Sequence, residues 1–159
     1  MNTEQGILTD LELLLTDLPL PVVEATDWRY VAYGCGELDL PCPSVAFAHD
    51  LIDTISASRG FPWVTIALPD GGGGHGRWAQ CLGEPDAMTV QVSPGDSVVF
   101  IVGNPDGSTR PVQLPGNPGC VETVQHREVL TSADAHRVMI RWLRTGTMAD
   151  GYRPRRLDY

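Results

Sequence analysis

The run GGGGHGRW at residues 71–78 begins with G-x-G-x-x-G, the spacing by which dinucleotide-binding domains let the backbone approach a pyrophosphate. That chemistry needs a strand before the glycines and a helix opening inside them, so that the helix N-terminus faces the phosphates. WVTIAL (63–68) can supply the strand, but RWAQCL runs only six residues before GEPD breaks the chain, and it alternates as a strand does. The stretch therefore reads as the tip of a hairpin, with His75 and Trp78 at and just beyond it. A Walker-type loop is excluded, because the chain has eleven arginines and no lysine.

Nucleophilic and metal chemistry would have to draw on Cys35, Cys42, Cys81 and Cys120 with His49, His75, His126 and His136. No C-x-x-C knuckle or H-E-x-x-H helix groups them, so neither a metal nor another cofactor is expected. Cys42 or Cys35 with His49 or His136 is a formal thiol–imidazole pair, and a small cysteine-dependent hydrolase is the enzymatic alternative. There is no G-x-S-x-G elbow, and the bland reading of the cysteines is free buried thiols. Arg137, Arg141 and Arg144 recur at helical spacing and could grip phosphates. In a chain of net charge -9, a solvated face paired with local carboxylates is the favoured reading. His136 reads as a boundary residue, and the leading expectation is a protein that is not an enzyme.

The elements that must carry these residues follow from periodicity. ILTDLELLLTDL predicts a first helix ended by Pro19 and Pro21; WRYVAY (28–33) predicts a strand; GCGELDLPCP (34–43) predicts a loop. A second helix is expected from Ser44 as cap to a stop at Gly60. From Phe61 the period changes to two. WVTIAL, GRWAQCL (76–82), AMTVQV (87–92), SVVFIV (97–102) and RPVQL (110–114) are separated by turn chemistry and predict an antiparallel meander, with SVVFIV central and RPVQL at an edge. TSADAHRVMIRWLRTG predicts a third helix, capped by Thr131 or Ser132 with Asp134 as capping-box acid and stopping at Gly146. Its apolar stripe is Ala135, Val138, Met139, Trp142 and Leu143. The tail GYRPRRLDY is expected to be irregular or paired at an edge, and the aromatic residues are expected mostly in the core. The fold class is α+β: one domain over 1–159, an antiparallel sheet with helices packed on one face.

The charge is uneven. Residues 1–53 carry ten carboxylates against Arg29 alone, residues 54–125 sum to -3, and residues 126–159 sum to +3. Acidity of this order disfavours nucleic acid and anionic membrane as partners and suits a basic protein. The chain shows neither an apolar run of membrane length nor a secretory leader, which favours the cytoplasm.

SVVFIVGNPDGSTRPVQLPGNPG, then EVLTSADAHRVMIRWLRTG, then Arg153-Pro154, resembles immunity protein family one of bacterial polymorphic toxin systems, in its actinobacterial form. The similarity covers roughly residues 61–154, with Arg144-Thr145-Gly146 in the closing positions. It implies a cytoplasmic protein that binds and neutralises a cognate secreted toxin domain, a nucleic-acid deaminase or nuclease, by occluding its active site. A non-toxin adaptor is the remaining alternative. The expected contacts are acidic loop positions Glu37, Asp39, Glu84, Asp86 and Asp96, with His75 and Trp78 beside them.

Overall fold

Alternating β-branched and aromatic residues between glycine- and proline-containing turns dictate a sheet, and the computed structural model contains one with seven strands, all antiparallel. The structure describes residues 24–34, 39–70, 75–116 and 120–159; the predicted first helix lies outside them. β1 (Ala25–Ala32), β2 (Leu40–Ser44), β3 (Trp63–Pro69), β4 (His75–Glu84), β5 (Ala87–Ser93), β6 (Val99–Gly103) and β9 (Arg153–Leu157) lie in the order β2-β1-β3-β4-β5-β6-β9. β7 (Pro111–Pro115) and β8 (Val121–Gln125) form a separate hairpin. The fold is α+β, as the periodicity predicts.

Several expectations need correcting. Residues 34–43 are not all loop, since β2 begins at Leu40 and contains Pro41 and Pro43. It is the edge of the sheet, where a missing N–H breaks no ladder. The meander holds for β3 to β6, but RPVQL leaves it to pair with the unanticipated β8, and the tail supplies the edge strand β9. Among the described residues no helix is long and apolar enough to cross a membrane.

Among the described residues two α-helices cover one face of the sheet. α1 (Val45–Asp53) starts where the Ser44 side chain accepts a hydrogen bond from Phe47 N at 3.0 Å, and it ends at Thr54 rather than at Gly60. A single 3₁₀ turn at Ala57–Arg59, closed by Gly60 at φ 87°, fills the interval. α2 (Ser132–Thr145) opens on a complete capping box: Asp134 N donates to Thr131 Oγ1, and Thr131 N donates to Asp134 Oδ2 at 2.8 Å. It closes at Gly146 in the left-handed region (φ 68°), and Arg77 donates Nη2 to the Leu143 carbonyl at 2.9 Å, putting a cation at the negative end of the helix.

Ala135, Val138, Met139 and Leu143 of α2 and Ala48 and Ile52 of α1 are buried against Val64, Ile66, Ala79, Cys81, Met88, Val90 and Val92. Trp142 is only partly buried and donates Nε1 to the Ser93 carbonyl. A smaller core of Ile101, Leu114 and Val124 lies under the β7–β8 hairpin. There, buried Glu128 accepts from Arg155 Nε at 2.6 Å and Nη2 at 3.0 Å, tying β9 to the 3₁₀ turn after β8.

Candidate functional site

The sheet pleat sends Val31, Thr65, Ala67, Trp78 and Gln80 to the face opposite the main core residues of the same strands. With Asp39 and Gly95 they line a depression of about 250 Å³. Thr65 Oγ1 donates to Gln80 Oε1 at 2.6 Å across its floor. Of the expected contact residues, Asp39 and Trp78 thus come together, and Asp96 follows Gly95 in the adjoining turn, exposed, with Oδ1 accepting from Val98 N at 2.9 Å. Glu37 lies outside the described residues; His75 opens β4, beside Pro69 in the ladder. The β4 strand that follows the glycine run is the reason no dinucleotide fingerprint forms: the N–H groups beyond the loop enter a ladder, not a helix end.

Glu84 and Asp86 sit elsewhere, at the β4–β5 turn. Glu84 is not a free loop carboxylate: it accepts from Ser56 Oγ at 2.8 Å and from Ser58 N at 2.5 Å, and the Ser56 bond leads the effects that hold its carboxyl below the usual range. It borders a hollow of about 550 Å³ that Tyr33 and Phe61 also line. These aromatics are 42% and 54% exposed, whereas the others named on strands and helices are buried or half-buried. Periodicity could not identify them, because Tyr33 follows one strand and Phe61 precedes another, where alternation no longer assigns a side.

A third hollow, of about 480 Å³, lies along the outer side of α1 and α2. His49 Nδ1 and His136 Nδ1 are 2.6 Å apart, and His136 Nε2 stands 2.6 Å from Asp53 Oδ1. Burial first, and the neighbouring His136 second, push His49 below the ordinary imidazole range. Arg137, Arg141 and Arg144 line the same groove. Arg144 pairs with Glu24 at 3.0 Å and Arg137 reaches Asp134 at 3.8 Å, so local pairing holds for two of the three.

Cys42 is buried, its Sγ donates weakly to the Ser44 carbonyl at 3.7 Å, and burial pushes the thiol up to about 11. Cys81, fully buried, is pushed up to about 12. Such thiols stay protonated at neutral pH, and among the described residues no cysteine hydrogen-bonds a histidine. Cys42 is thus not held against His49 or His136, and Cys35 lies outside the described residues. Among the described residues no group of three or more His, Cys, Asp or Glu is arranged to hold a metal ion. Comparison with protein families, with curated proteins and with solved structures finds no match to this chain.

Proposed function

We propose that the chain is an immunity protein that binds a basic, nucleic-acid-processing toxin domain and occludes its active site. The observation that carries the reading is the exposed pair Tyr33 and Phe61, which share one hollow with Asp53 and Glu84. Two large aromatics at a polar rim are what a protein partner buries, and scattered single apolar residues would carry no such meaning. The exposed carboxylate of Asp86 in the adjoining turn favours approach of a cationic surface, which raises the association rate more than the final affinity.

The test is to purify the chain from its native host with whatever it holds and to assay that partner for nuclease and deaminase activity. Addition of one equivalent of the chain should abolish the activity. A Tyr33→Ala, Phe61→Ala double variant should weaken the complex about 30-fold or more, as loss of a hot spot does. A partner whose activity is untouched by the bound chain overturns the proposal; so does full affinity in the double variant, for the assigned surface.

A further inference from the structure

The groove over the two helices has a chemistry that toxin binding does not use. His49 of α1 and His136, Arg137, Arg141 and Arg144 of α2 line it, and Asp53, which borders the Tyr33–Phe61 hollow, accepts from His136. Two Nδ1 atoms at 2.6 Å can share only one hydrogen. Asp53 accepts from His136 Nε2–H, so in the neutral pair His136 Nδ1 carries the lone pair and His49 Nδ1–H donates to it. His49 Nε2 is then a bare lone pair. One further proton is taken up without breaking either hydrogen bond, by placing an N–H on His49 Nε2; a second would put hydrogens on both Nδ1 atoms and break the contact.

The surrounding charges suit an anion. Arg141 gives Nε to Thr147 Oγ1 at 3.1 Å and has no carboxylate partner among the described residues. Arg137 and Arg144 flank it one helical turn to either side, partly balanced by Asp134 and Glu24. Asp50 and Asp53 on α1 favour protonated His49, against burial and the neighbouring His136, which hold it below the ordinary imidazole range. Guanidinium forks match the oxygens of a phosphate, and Ile140 adds an apolar wall.

We propose that this groove is a proton-coupled site for a small phosphate monoester, gripped by Arg137, Arg141 and Arg144 and by the N–H that His49 Nε2 gains when the histidine pair takes up one proton. The protein needs no other component for the test. Sulfate remains a dianion across the working range, so its affinity measured by calorimetry isolates the protein's titration from the ligand's. Binding should be about fivefold tighter near pH 5.5 than near pH 8. His49→Gln should remove that difference, whereas His126→Gln, at an exposed position away from the groove, should leave it intact. Arg141→Gln, at an exposed position where folding is not at risk, should weaken sulfate about tenfold at both pH values. Phenyl phosphate should bind more tightly than inorganic phosphate, because its ring meets Ile140. An unchanged affinity in Arg141→Gln, a pH dependence that survives His49→Gln in a variant with wild-type thermal unfolding, or equal affinity for the two phosphates overturns the assignment.

Discussion

Removing Arg155 should damage the protein more than neutralising the carboxylate it holds. Glu128 is 1% exposed and has three donors: Arg155 Nε at 2.6 Å, Arg155 Nη2 at 3.0 Å and Gln125 N at 2.8 Å. Arg155→Met keeps most of the stem volume but leaves a buried carboxylate with one backbone donor. Breaking such a pair costs about 3 kcal/mol, the low end of the usual range, because the Arg155 side chain is 38% exposed and water can reach the vacated side. Glu128→Gln keeps an acceptor for Gln125 N and Arg155 Nη2 but turns an amide NH2 toward Arg155 Nε, losing one hydrogen bond and the charge assistance, roughly 2 kcal/mol. For a chain of this size these translate into about 6–12 °C and about 4–8 °C in Tm. Urea unfolding of both variants measures the ratio. The Arg155→Met, Glu128→Met pair should recover part of the larger loss, since the uncompensated charge is gone. Arg155→Met no worse than Glu128→Gln, or a double variant as damaged as the sum of its singles, would show that buried charge is not what the pair neutralises.

Two further outcomes are expected. Burial tends to raise Asp134, but hydrogen bonds from Tyr152 Oη at 2.5 Å and from Thr131 outweigh it and hold the carboxyl below its usual range. Its contribution is therefore present above the unfolded value near 3.9 and lost as pH falls through the folded one; Asp134→Asn should cost about 1 kcal/mol at neutral pH and flatten the acid limb of a stability–pH curve, and an unchanged acid limb would refute the cap's role. Gly83 adopts φ 122°, and a Cβ there would lie 2.4 Å from the Ala87 carbonyl oxygen, so Gly83→Ala should destabilise by about 2 kcal/mol or more in thermal unfolding, and a loss within about 0.5 kcal/mol would contradict the contact.

What was legible in the sequence is what is decided locally. The capping box of Thr131 and Asp134, the Gly146 stop, the antiparallel pairing of β3 with β4 and the turns between β4, β5 and β6 depend on residues within a few positions of each other, and they form as read. The misreadings all required knowledge of a distant neighbour. Pro41 and Pro43 argue against a strand unless the strand lies at an edge, and only β1 on its other side decides that. β7 and β8 left the main sheet because Arg153–Leu157, late in the chain, occupies the free edge of β6. Glu84 looked like a loop acid because Ser56 and Ser58, which fix it, belong to a segment read as helix.

The same limit explains the charge pattern. The acidic first third and basic last fifth are partly matched inside the fold: Glu24 pairs with Arg144, and Asp53 accepts a hydrogen bond from His136, each contact joining the first third of the chain to the last fifth. These pairs lie on the helix layer, where they build the groove around His49 and leave Arg141 as its unbalanced charge. Carboxylates that remain exposed, such as Asp86 and Asp96, lie instead at hairpin turns of the sheet. The two proposals thus occupy neighbouring surfaces that meet at Asp53 and share neither the aromatic pair nor Arg141, so Tyr33→Ala, Phe61→Ala should leave sulfate binding unaltered and Arg141→Gln should leave the protein complex intact. If both substitutions weakened both ligands, the separation of charge inferred from these pairs would be wrong.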